Sequence, residues 1–390
     1  MPLPVIILKR ERTSSHPWIF RKMVALPRRL PPPGAVVEVR SKSGAFVGRG
    51  IFHAAQTICI RLLTEISEEE VDEFFFRRRL AAAKALREDV LGLLARTDSY
   101  RLAHAEGDGL SGLVIDKFAD LLVVQPQCAG YLHLVDPLVA ALRALYPGGR
   151  VVFRIDKRVE AREGISFASA AARFPCPETA TIFEDDRRMR VDFISGHKTG
   201  YFLDQRDQRA AIAAMARGRE VLDLCCYSGG FAIAAMRGGA ASCTAVDLDE
   251  KALNLARQNA ALNGVAVNCV HADVFDLLRD WHKRGRQADL IVLDPSKLAT
   301  VKAEVPRAVR AYADLNRLAL GALRPGGIIL TCSCSGLISA EMFMRIVRRA
   351  AEEAGVALQI FREAGAAADH PVRSDFPEGR YLTAIYGRRL

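Results

Sequence analysis

The chain has 390 residues, half of them hydrophobic, and a formal net charge of +10. A chain of this length and composition buries two or three domain cores, which excludes a disordered protein. It holds no run near the roughly 18 to 20 apolar residues of a membrane span, so we expect a cytoplasmic protein. Its nine cysteines form no obvious disulfide framework and no CxxC pair, which predicts free thiols and no metal site.

The first 63 residues carry nearly all of the excess positive charge, with eleven Lys and Arg against two acids. Short apolar runs separated by turns, such as AVVEVRSKSGAFVGRG, predict a small β-barrel. Cations interleaved with aromatic residues suit an RNA or DNA surface, although a solvated basic face over an aromatic core has the same composition. The candidate nucleic-acid contacts in this segment are Lys9, Arg10, Arg12, Trp18, Arg21 and Lys22.

A helical segment and a mixed segment follow the barrel. Ser67 and Glu70 have the spacing of a capping box, which predicts one long connector helix. The next segment mixes strand and helix patterns without catalytic spacing, and we interpret it as a small α+β domain. The predicted domains are a barrel at 1–70, a connector helix at 71–100, the α+β domain at 101–190 and a larger domain at 191–390.

Beyond about residue 191, short apolar strands alternate regularly with amphipathic helices. This pattern predicts the α/β class, with a doubly wound parallel sheet. Ligands bind beyond the carboxyl ends of the strands in such a sheet. The first strand ends in DLCCYSGGFA, where Ser228, Gly229 and Gly230 allow a ligand close to the backbone. The third glycine of the dinucleotide fingerprint is missing, which disfavours a dehydrogenase.

Carboxylates accompany the first three strands of this sheet. Asp223 lies on the first strand, Asp247 ends the second and Asp273 ends the third. Asp247 can accept both hydrogen bonds of a ribose diol, and Asp273 is placed near an adenine amino group. Each of them alone is explained as well by a helix N-cap. At three successive strands they favour a cofactor that contains a nucleoside.

Several motifs resemble one family of RNA-modifying enzymes over essentially the entire chain. They are HPWIF, GHKTGYFLDQRDQR, YSGGFA, NGV, LDPSK, SCSG, ADHPV and the last strand YLTAIYG. Together they resemble the PUA-domain class I S-adenosylmethionine-dependent (cytosine-5) methyltransferases of 23S ribosomal RNA. The resemblance implies a PUA RNA-binding barrel, a Rossmann-like methyltransferase domain with an antiparallel last strand, S-adenosylmethionine as cofactor and large-subunit ribosomal RNA as partner. A homodimer is common in that family and is a further expectation.

The resemblance also implies a set of site residues. The cofactor-binding candidates are Asp223, Tyr227, Ser228, Gly229, Gly230, Phe231, Asp247, Leu248, Asp273, Val274, Asp294 and Arg206. Asp204 is predicted to cap the helix that follows it. That would leave Lys198, Tyr201 and Arg206 free to face the cofactor or RNA. Lys198 and Lys297 complete the predicted RNA contacts.

Two cysteines, Cys332 and Cys334, end the fifth strand of the sheet. Cytosine C5 accepts a methyl group only after a thiolate has added to C6, so this chemistry needs one low-pKa thiol. The loop after the fourth strand lies close by, so Cys334 and Asp294 could flank one base. The resemblance aligns Cys334 with the family's nucleophile, and Asp294 would hydrogen-bond the N3 and N4 region of the base. Cys332 is expected to be a small buried thiol.

The chain departs from the family pattern at two positions. Ser296 stands where the family usually has proline, and Cys332 stands where a bulky apolar residue is more usual. Two other functions stay open: methylation of an exocyclic amine of RNA, which needs no thiol, and RNA binding as an assembly factor without catalysis. Replacement of Cys334 tests the first alternative, because amine methylation should continue without the thiol. An assay for methyl transfer tests the second, because a protein that only binds RNA should transfer no methyl group.

Overall fold

The structure is a computed structural model that describes residues 2–194 and 200–390. The chain forms two compact units. Unit 1 joins Met1–Glu178 with Ala368–Gly379, and unit 2 joins Thr179–Ala367 with Arg380–Leu390. Among the described residues, none of the helices combines the length and the apolar character that crossing a membrane requires.

The basic N-terminal segment forms the first sheet of unit 1. Its strands are β1 (Val5–Leu8), β2 (Trp18–Phe20), β3 (Val24–Ala25), β4 (Val36–Arg40), β5 (Phe46–Phe52) and β6 (Ile58–Thr64). They lie in the order β2-β6-β5-β4-β1-β3, and the β1–β4 pair is parallel while the others are antiparallel. Val37 and Val39 alternate with more exposed residues along β4 and pack on Ile6 and Leu8 in the core of this sheet.

A helix and a second sheet complete unit 1. Their elements are α1 (Glu73–Ala85), β7 (Ser99–His104), β8 (Leu113–Phe118), β9 (Leu121–Pro126), α2 (Val135–Leu145), β10 (Arg150–Phe153), α3 (Lys157–Glu163) and α4 (Ala168–Arg173), with the strands in the order β10-β9-β8-β7. The capping box predicted at Ser67 and Glu70 is wrong. Asp72 caps α1, because its side chain accepts a hydrogen bond from the Phe75 N–H at 3.0 Å. The helix therefore starts later and is shorter than expected.

Unit 2 consists of a hairpin followed by an alternation of strands and helices. The elements are β11 (Thr179–Glu184), β12 (Arg187–Asp192), α5 (Arg206–Met215), β13 (Glu220–Leu224), α6 (Gly230–Arg237), β14 (Ser242–Asp247), α7 (Glu250–Leu262), β15 (Asn268–His271), α8 (Val274–Lys283), β16 (Ala288–Leu293), α9 (Val305–Gly321), β17 (Leu323–Ser333), α10 (Ala340–Glu353), β18 (Leu358–Ala364) and β19 (Thr383–Arg389). Strands β13 to β19 form a seven-stranded sheet in the order β15-β14-β13-β16-β17-β19-β18.

The topology of this sheet confirms the predicted α/β class. Strands β13 to β17 run parallel to one another, and β19 lies antiparallel to β17. Alternate residues of the central strands enter opposite cores. Leu222 packs with Leu293 in one buried cluster, whereas Val221 packs with Val292 in the other. Burial on both faces fixes the sheet and therefore the positions of the loops at its carboxyl edge.

Candidate active site

The carboxyl ends of the parallel strands of unit 2 meet at one edge of the sheet. The chain passes from β13 to β14 and β15, and it later continues to β16 and β17 on the other side of β13. The strand order therefore reverses between β13 and β16, and a ligand crevice forms at such a point. The candidate site consists of the residues that follow these strands.

The turn between β13 and α6 has an unusual backbone. Cys225 and Tyr227 have positive φ angles of 61° and 49°, and Gly229 has a φ of 79°. Each non-glycine residue in this region costs about 1–3 kcal/mol and persists only where its surroundings enforce it. Asp247 enforces it here, because its carboxylate accepts a hydrogen bond from the Tyr227 N–H at 2.8 Å. Strain of this kind clusters at ligand sites, which makes the turn a candidate for close contact with a ligand.

Asp223 is fully buried near the end of β13. Its Oδ2 accepts a hydrogen bond from the Ala232 N–H at 2.9 Å, whereas its Oδ1 is buried without a hydrogen-bond partner among the described residues. Burial, together with the charges of Asp294 and Asp247, raises the pKa of this carboxyl to about 8. The carboxyl groups at the ends of β13, β14 and β16 therefore act on one another, and a cation would relieve their repulsion.

The N-cap explanation holds for Asp273 and fails for Asp247. Asp273 caps α8, because its side chain accepts hydrogen bonds from two N–H groups of the first turn. Helix α7 is capped by Asp249 instead. The carboxylate of Asp247 accepts from the backbone of the strained turn and from the Asp249 N–H at 2.9 Å. Asp247 therefore joins the end of β14 to the turn after β13.

The remaining predicted cofactor contacts around this turn are a mixture of buried and exposed residues. Ser228, Gly230 and Phe231 are buried at the start of α6. Leu248 is 64% exposed although it is apolar and directly follows Asp247. An exposed leucine beside carboxylates offers a surface for the flat ring of a nucleoside. The unpartnered Asp223 oxygen, the converging acids and this apolar surface together fit a positively charged nucleoside cofactor.

Cys334 and Asp294 come together where β16 and β17 end. The parallel register of the two strands pairs Leu293, which directly precedes Asp294, with Thr331, and β17 continues to Ser333, which directly precedes Cys334. The Sγ of Cys334 lies 3.8 Å from the backbone oxygen of Pro295, which directly follows Asp294. Cys334 and Asp294 are both half-buried. A half-buried thiol and a half-buried carboxyl group thus follow two neighbouring parallel strands.

A buried hydroxyl network holds the loop after β16 against Cys334. The Oγ of Ser335 accepts hydrogen bonds from the N–H groups of Leu298 and Ala299 at 3.2 and 3.4 Å. The hydroxyl of Tyr312 on α9 lies 3.2 Å from this Oγ and accepts a hydrogen bond from the Ser333 Oγ at 3.1 Å. Burial raises the pKa of Tyr312 to about 12, so its phenol stays neutral. Ser335, which directly follows Cys334, therefore ties the end of β17 to the loop after β16.

Cys332 has a different environment from Cys334. It is fully buried, and it pairs with Ala384 of β19 inside the sheet. Burial, reinforced by the charge of Asp294, raises the pKa of its thiol well above the ordinary value. Both cysteines contact the same buried cluster, but only Cys334 reaches the partly open edge. The expectation that Cys332 is a small buried thiol is confirmed.

The expectation that Tyr201 and Arg206 are free is wrong, because both are buried. The hydroxyl of Tyr201 donates to Glu184 at 3.3 Å, and the Arg206 Nε lies 3.9 Å from the same carboxylate. Arg209 also binds Glu184, through two hydrogen bonds of 2.6 and 2.7 Å. Arg206 as a cofactor contact stays a prediction, and Lys198 lies outside the described residues.

The N-cap predicted at Asp204 is also wrong. Helix α5 starts at Arg206 without a side-chain cap, and Asp204 lies in a 3-10 turn, Leu203–Gln205. Its carboxylate accepts a hydrogen bond from the Tyr381 hydroxyl at 2.5 Å. Its backbone oxygen accepts one from the Ala367 N–H at 2.8 Å. Partners far away in the sequence therefore decide the role of this side chain.

The predicted RNA contacts fall into two groups. Those that are exposed and form no ion pair with a described residue are Lys9, Arg10, Arg21, Lys22 and Lys297. Arg12 instead pairs with Glu65 at 2.7 Å. Trp18 donates its Nε1–H to Glu106 at 2.7 Å, and its ring packs edge-on against Phe376 at 4.8 Å. These contacts give Arg12 and Trp18 a structural role within unit 1.

Sequence reasoning missed three residues of the site: Gln205, Tyr312 and Ser335. Gln205 donates a hydrogen bond from its Nε2 to the Asp294 carboxylate at 3.0 Å. Gln205 lies in the motif LDQRDQR and Ser335 in the motif SCSG, so the positions were visible in the sequence. Their partners were not, because Gln205 and Asp294 are 89 residues apart.

Comparisons with known proteins agree with this geometry. Residues 163–363 match the S-adenosylmethionine-dependent methyltransferase family, and residues 9–65 match the PUA-like domain family. The "Ribosomal RNA large subunit methyltransferase I" of Aeromonas hydrophila subsp. hydrophila is 41% identical over 96% of this chain and 95% of its own length. The protein of the same name from Tolumonas auensis is 39% identical over 99% of both chains. This chain belongs to the ribosomal RNA large subunit methyltransferase I family.

Solved structures show the same fold. A methyltransferase crystallised with SAH superimposes with a TM-score of 0.82 at 22% identity, with both chains fully covered. A structure assigned as a SAM-dependent methyltransferase from Streptococcus mutans gives a TM-score of 0.81 at 20% identity, covering 99% of this chain and 100% of its own. Family membership makes S-adenosylmethionine the cofactor and methyl transfer the reaction. Within the described residues, no three His, Cys, Asp or Glu side chains cluster as a metal site would require.

Proposed function

We propose that this protein methylates C5 of a cytosine in large-subunit ribosomal RNA, with Cys334 as nucleophile. The observation that carries the proposal is the contrast between the two cysteines. Cys332 is fully buried in the sheet, and the pKa of its thiol is raised. Cys334 is half-buried at the end of the strand, beside the loop that carries Asp294. Methylation of an exocyclic amine would not need a thiol at that position. The relatives' name supplies the RNA class.

In the proposed mechanism the Cys334 thiolate adds to C6 of the cytosine. The S–C6 bond forms, and the electron pair of the C5=C6 bond makes C5 nucleophilic. Asp294 acts in its protonated form: it donates a hydrogen bond to N3 and accepts one from the N4 amino group, which stabilises the negative charge that develops toward N3. S-adenosylmethionine supplies the electrophilic methyl group that C5 accepts. A water molecule then takes the C5 proton, the C5=C6 bond re-forms and the thiolate departs from C6, which regenerates the enzyme.

The chain's own residues would hold the cofactor beside that base. We assign the ribose to Asp247 and the apolar side chain of Leu248 to one face of the adenine. Asp273 keeps its predicted place near the adenine amino group, in addition to capping α8. Asp223 adds negative charge opposite the positive sulfonium group. The support is that these groups lie at adjacent strand ends and interact electrostatically.

The partner, the assembly and the location complete the proposal. Lys9, Arg10, Arg21 and Lys22 are assigned to RNA phosphates because they are exposed and form no ion pair with a described residue. The four-part domain division and the homodimer stay predictions. A cytoplasmic location is part of the proposal, because ribosomal RNA of a bacterium is transcribed and assembled there.

The identity of the methylated nucleoside tests the proposed function. Unmethylated large-subunit RNA would be incubated with enzyme and S-adenosylmethionine, digested to nucleosides and analysed by mass spectrometry against 5-methylcytidine and N4-methylcytidine standards. The proposal predicts 5-methylcytidine, which disappears with Cys334→Ala and persists with Cys332→Ala. An N-methylated product that is still formed by Cys334→Ala would show that the enzyme methylates an exocyclic amine instead. Cofactor binding without any methylated product would show that the protein is an RNA-binding assembly factor.

A further inference from the structure

We propose that Gln205 is a positioning residue for the methyl transfer and that it holds the Asp294 carboxylate in the orientation that the cytosine base requires. The inference rests on the proposed function and adds a residue to it. The Nε2 of Gln205 donates a hydrogen bond to the Asp294 Oδ2 at 3.0 Å, from a side chain that is only 2% exposed. A carboxylate oxygen accepts only, so the amide must present its NH2 group to Asp294.

The other half of the Gln205 amide shows that packing alone does not explain this residue. Its Oε1 is buried and has no hydrogen-bond partner among the described residues. A buried acceptor without a partner destabilises a fold. A methionine of similar length would fill the same space without that cost. Retention of the amide is therefore better explained by its contact with Asp294 than by the core.

The backbone around Gln205 is held firmly enough to orient another residue. Gln205 ends the 3-10 turn Leu203–Gln205. In this turn, Asp204 is fixed by the Tyr381 hydroxyl and by the Ala367 N–H. Gln208, one helical turn later, donates to the Gly365 oxygen at 2.7 Å. A side chain attached to a backbone that is pinned on both sides loses little further freedom when it orients a partner.

The same amide accounts for the cysteine at position 332. The Gln205 amide also acts on the Cys332 thiol and opposes part of the rise in its pKa that burial causes. A bulky apolar residue at this place would crowd the amide, whereas a cysteine leaves room for it. Gln205 thus contacts Asp294 at the end of β16 and influences a residue near the end of β17, the strand that leads to Cys334.

The orientation of Asp294 matters because the charge on the base develops at one edge. When the thiolate adds to C6, electron density moves toward N3, and a hydrogen-bonding group assists only if it faces that edge. Removal of the Gln205 donor takes away one contact that keeps the Asp294 carboxyl group turned toward that edge. Loss of the Gln205 donor should therefore lower kcat and leave the KM for RNA nearly unchanged, since RNA binding does not depend on this contact.

The test compares Gln205→Met and Gln205→Glu with the matched control Gln208→Met in the full-length protein. Gln208 is also a buried glutamine, and it hydrogen-bonds Gly365 and Tyr386 away from Asp294. We expect Gln205→Met to lower kcat by about 10- to 100-fold, the range typical of a misplaced catalytic group. Gln208→Met should lower thermal stability while kcat per folded molecule stays near that of the native enzyme.

The pH profile separates orientation from a general loss of structure. Gln205→Glu places a second carboxylate beside Asp294, and like charges at this distance raise the pKa of the pair. The alkaline kcat limb, which reports loss of the Asp294 proton, should therefore move to higher pH, and this readout remains if Gln205→Met does not fold. Equal kcat losses in Gln205→Met and Gln208→Met, with the pH profile of Gln205→Glu unchanged, would overturn the inference. Native enzyme that yields no 5-methylcytidine would instead overturn the proposed function, whatever the Gln205 variants do.

Discussion

The buried carboxyl of Asp223 is where the free protein and the cofactor complex should differ most. Its pKa is raised to about 8 by burial and by the charges of Asp294 and Asp247. At neutral pH the group is therefore mostly protonated in the free protein. A positively charged ligand beside it would favour the ionised form, so cofactor binding should release a proton.

This proton release can be measured by calorimetry. The affinity for S-adenosylmethionine should rise by up to about tenfold per pH unit between pH 6 and 8, and the binding enthalpy should depend on the ionisation enthalpy of the buffer. S-adenosylhomocysteine lacks the sulfonium charge and should show a weaker dependence. Asp223→Asn should show none. An affinity that is constant from pH 6 to 8 would contradict the assignment of Asp223.

The stability of the free protein should depend on the same carboxyl group. It should fall as the pH rises, whereas the affinity for the cofactor should rise. The ordinary pKa is 3.8, so between pH 3.8 and about 8 the folded protein holds a proton that the unfolded chain has lost. The contribution of Asp223 to stability therefore falls as the pH rises through this window. Denaturation of Asp223→Asn beside the native protein should show that the variant lacks this decline.

At the scale of elements, the turn between β13 and α6 depends on the absence of a side chain at Gly229. Its φ is 79°, and a Cβ there would lie 3.1 Å from the Cβ of Ala256 on α7. Gly264 provides a matched control, because its φ is 64° and a Cβ there would meet nothing within 4 Å. Gly264→Ala should cost about 1–2 kcal/mol from backbone strain alone.

Gly229→Ala should cost more than Gly264→Ala and should also weaken cofactor binding. The added methyl group pushes α6 away from α7 and moves the turn that would contact the cofactor. Thermal denaturation and calorimetry with S-adenosylmethionine check both effects. If the two variants lose equal stability and bind the cofactor equally well, the turn does not form the cofactor contact.

Ser335 links the loop after β16 to the end of β17. Ser335→Ala leaves two backbone N–H groups and a phenol without their shared partner, which should cost about 1–3 kcal/mol. It should also lower kcat, because the loop that carries Asp294 is released. The control is Ser339→Ala, which removes the cap of α10 at a similar cost of about 1 kcal/mol. A control with the same kcat loss would show that Ser335 acts on stability alone.

The sheet could be predicted from the sequence because its central strands β13, β16 and β17 are mostly buried on both faces and therefore contain apolar runs. Local capping was less predictable. Asp72 caps α1 instead of Ser67, and Asp204 binds Tyr381 instead of its own helix. Several neighbouring polar residues could cap each helix. Contacts with residues far away in the sequence determine which of them does so. For the same reason, the hydrogen bond between Gln205 and Asp294 could not be predicted from the sequence.

At the scale of the whole molecule, the positive charge is concentrated in the N-terminal sheet, and the rest of the chain is close to neutral. Lys9, Arg10, Arg21 and Lys22 are exposed there. Sequence reasoning recognised this segment by its charge. It could not separate the exposed cations from Arg12 and Trp18, whose partners are 53 and 88 residues away.

Salt dependence of RNA binding tests this assignment. Each phosphate contact contributes about 0.7 to 0.9 to the slope of log affinity against log salt, so replacing the four exposed cations by alanine should reduce the slope by about 3. A control with the same change in net charge replaces four arginines that are ion-paired: Arg237, Arg257, Arg284 and Arg349. The control should change the slope little. Equal changes would assign RNA binding to net charge instead of to this sheet.

The central claim is that Cys334 forms a covalent bond to the cytosine. RNA carrying 5-fluorocytosine traps that adduct, because the fluorine at C5 cannot leave as a proton does. The native enzyme and Cys332→Ala, incubated with this RNA and S-adenosylmethionine, should each give a cross-linked band on a denaturing gel. Cys334→Ala should give none. A band that persists in Cys334→Ala, or that depends on Cys332, would contradict the account.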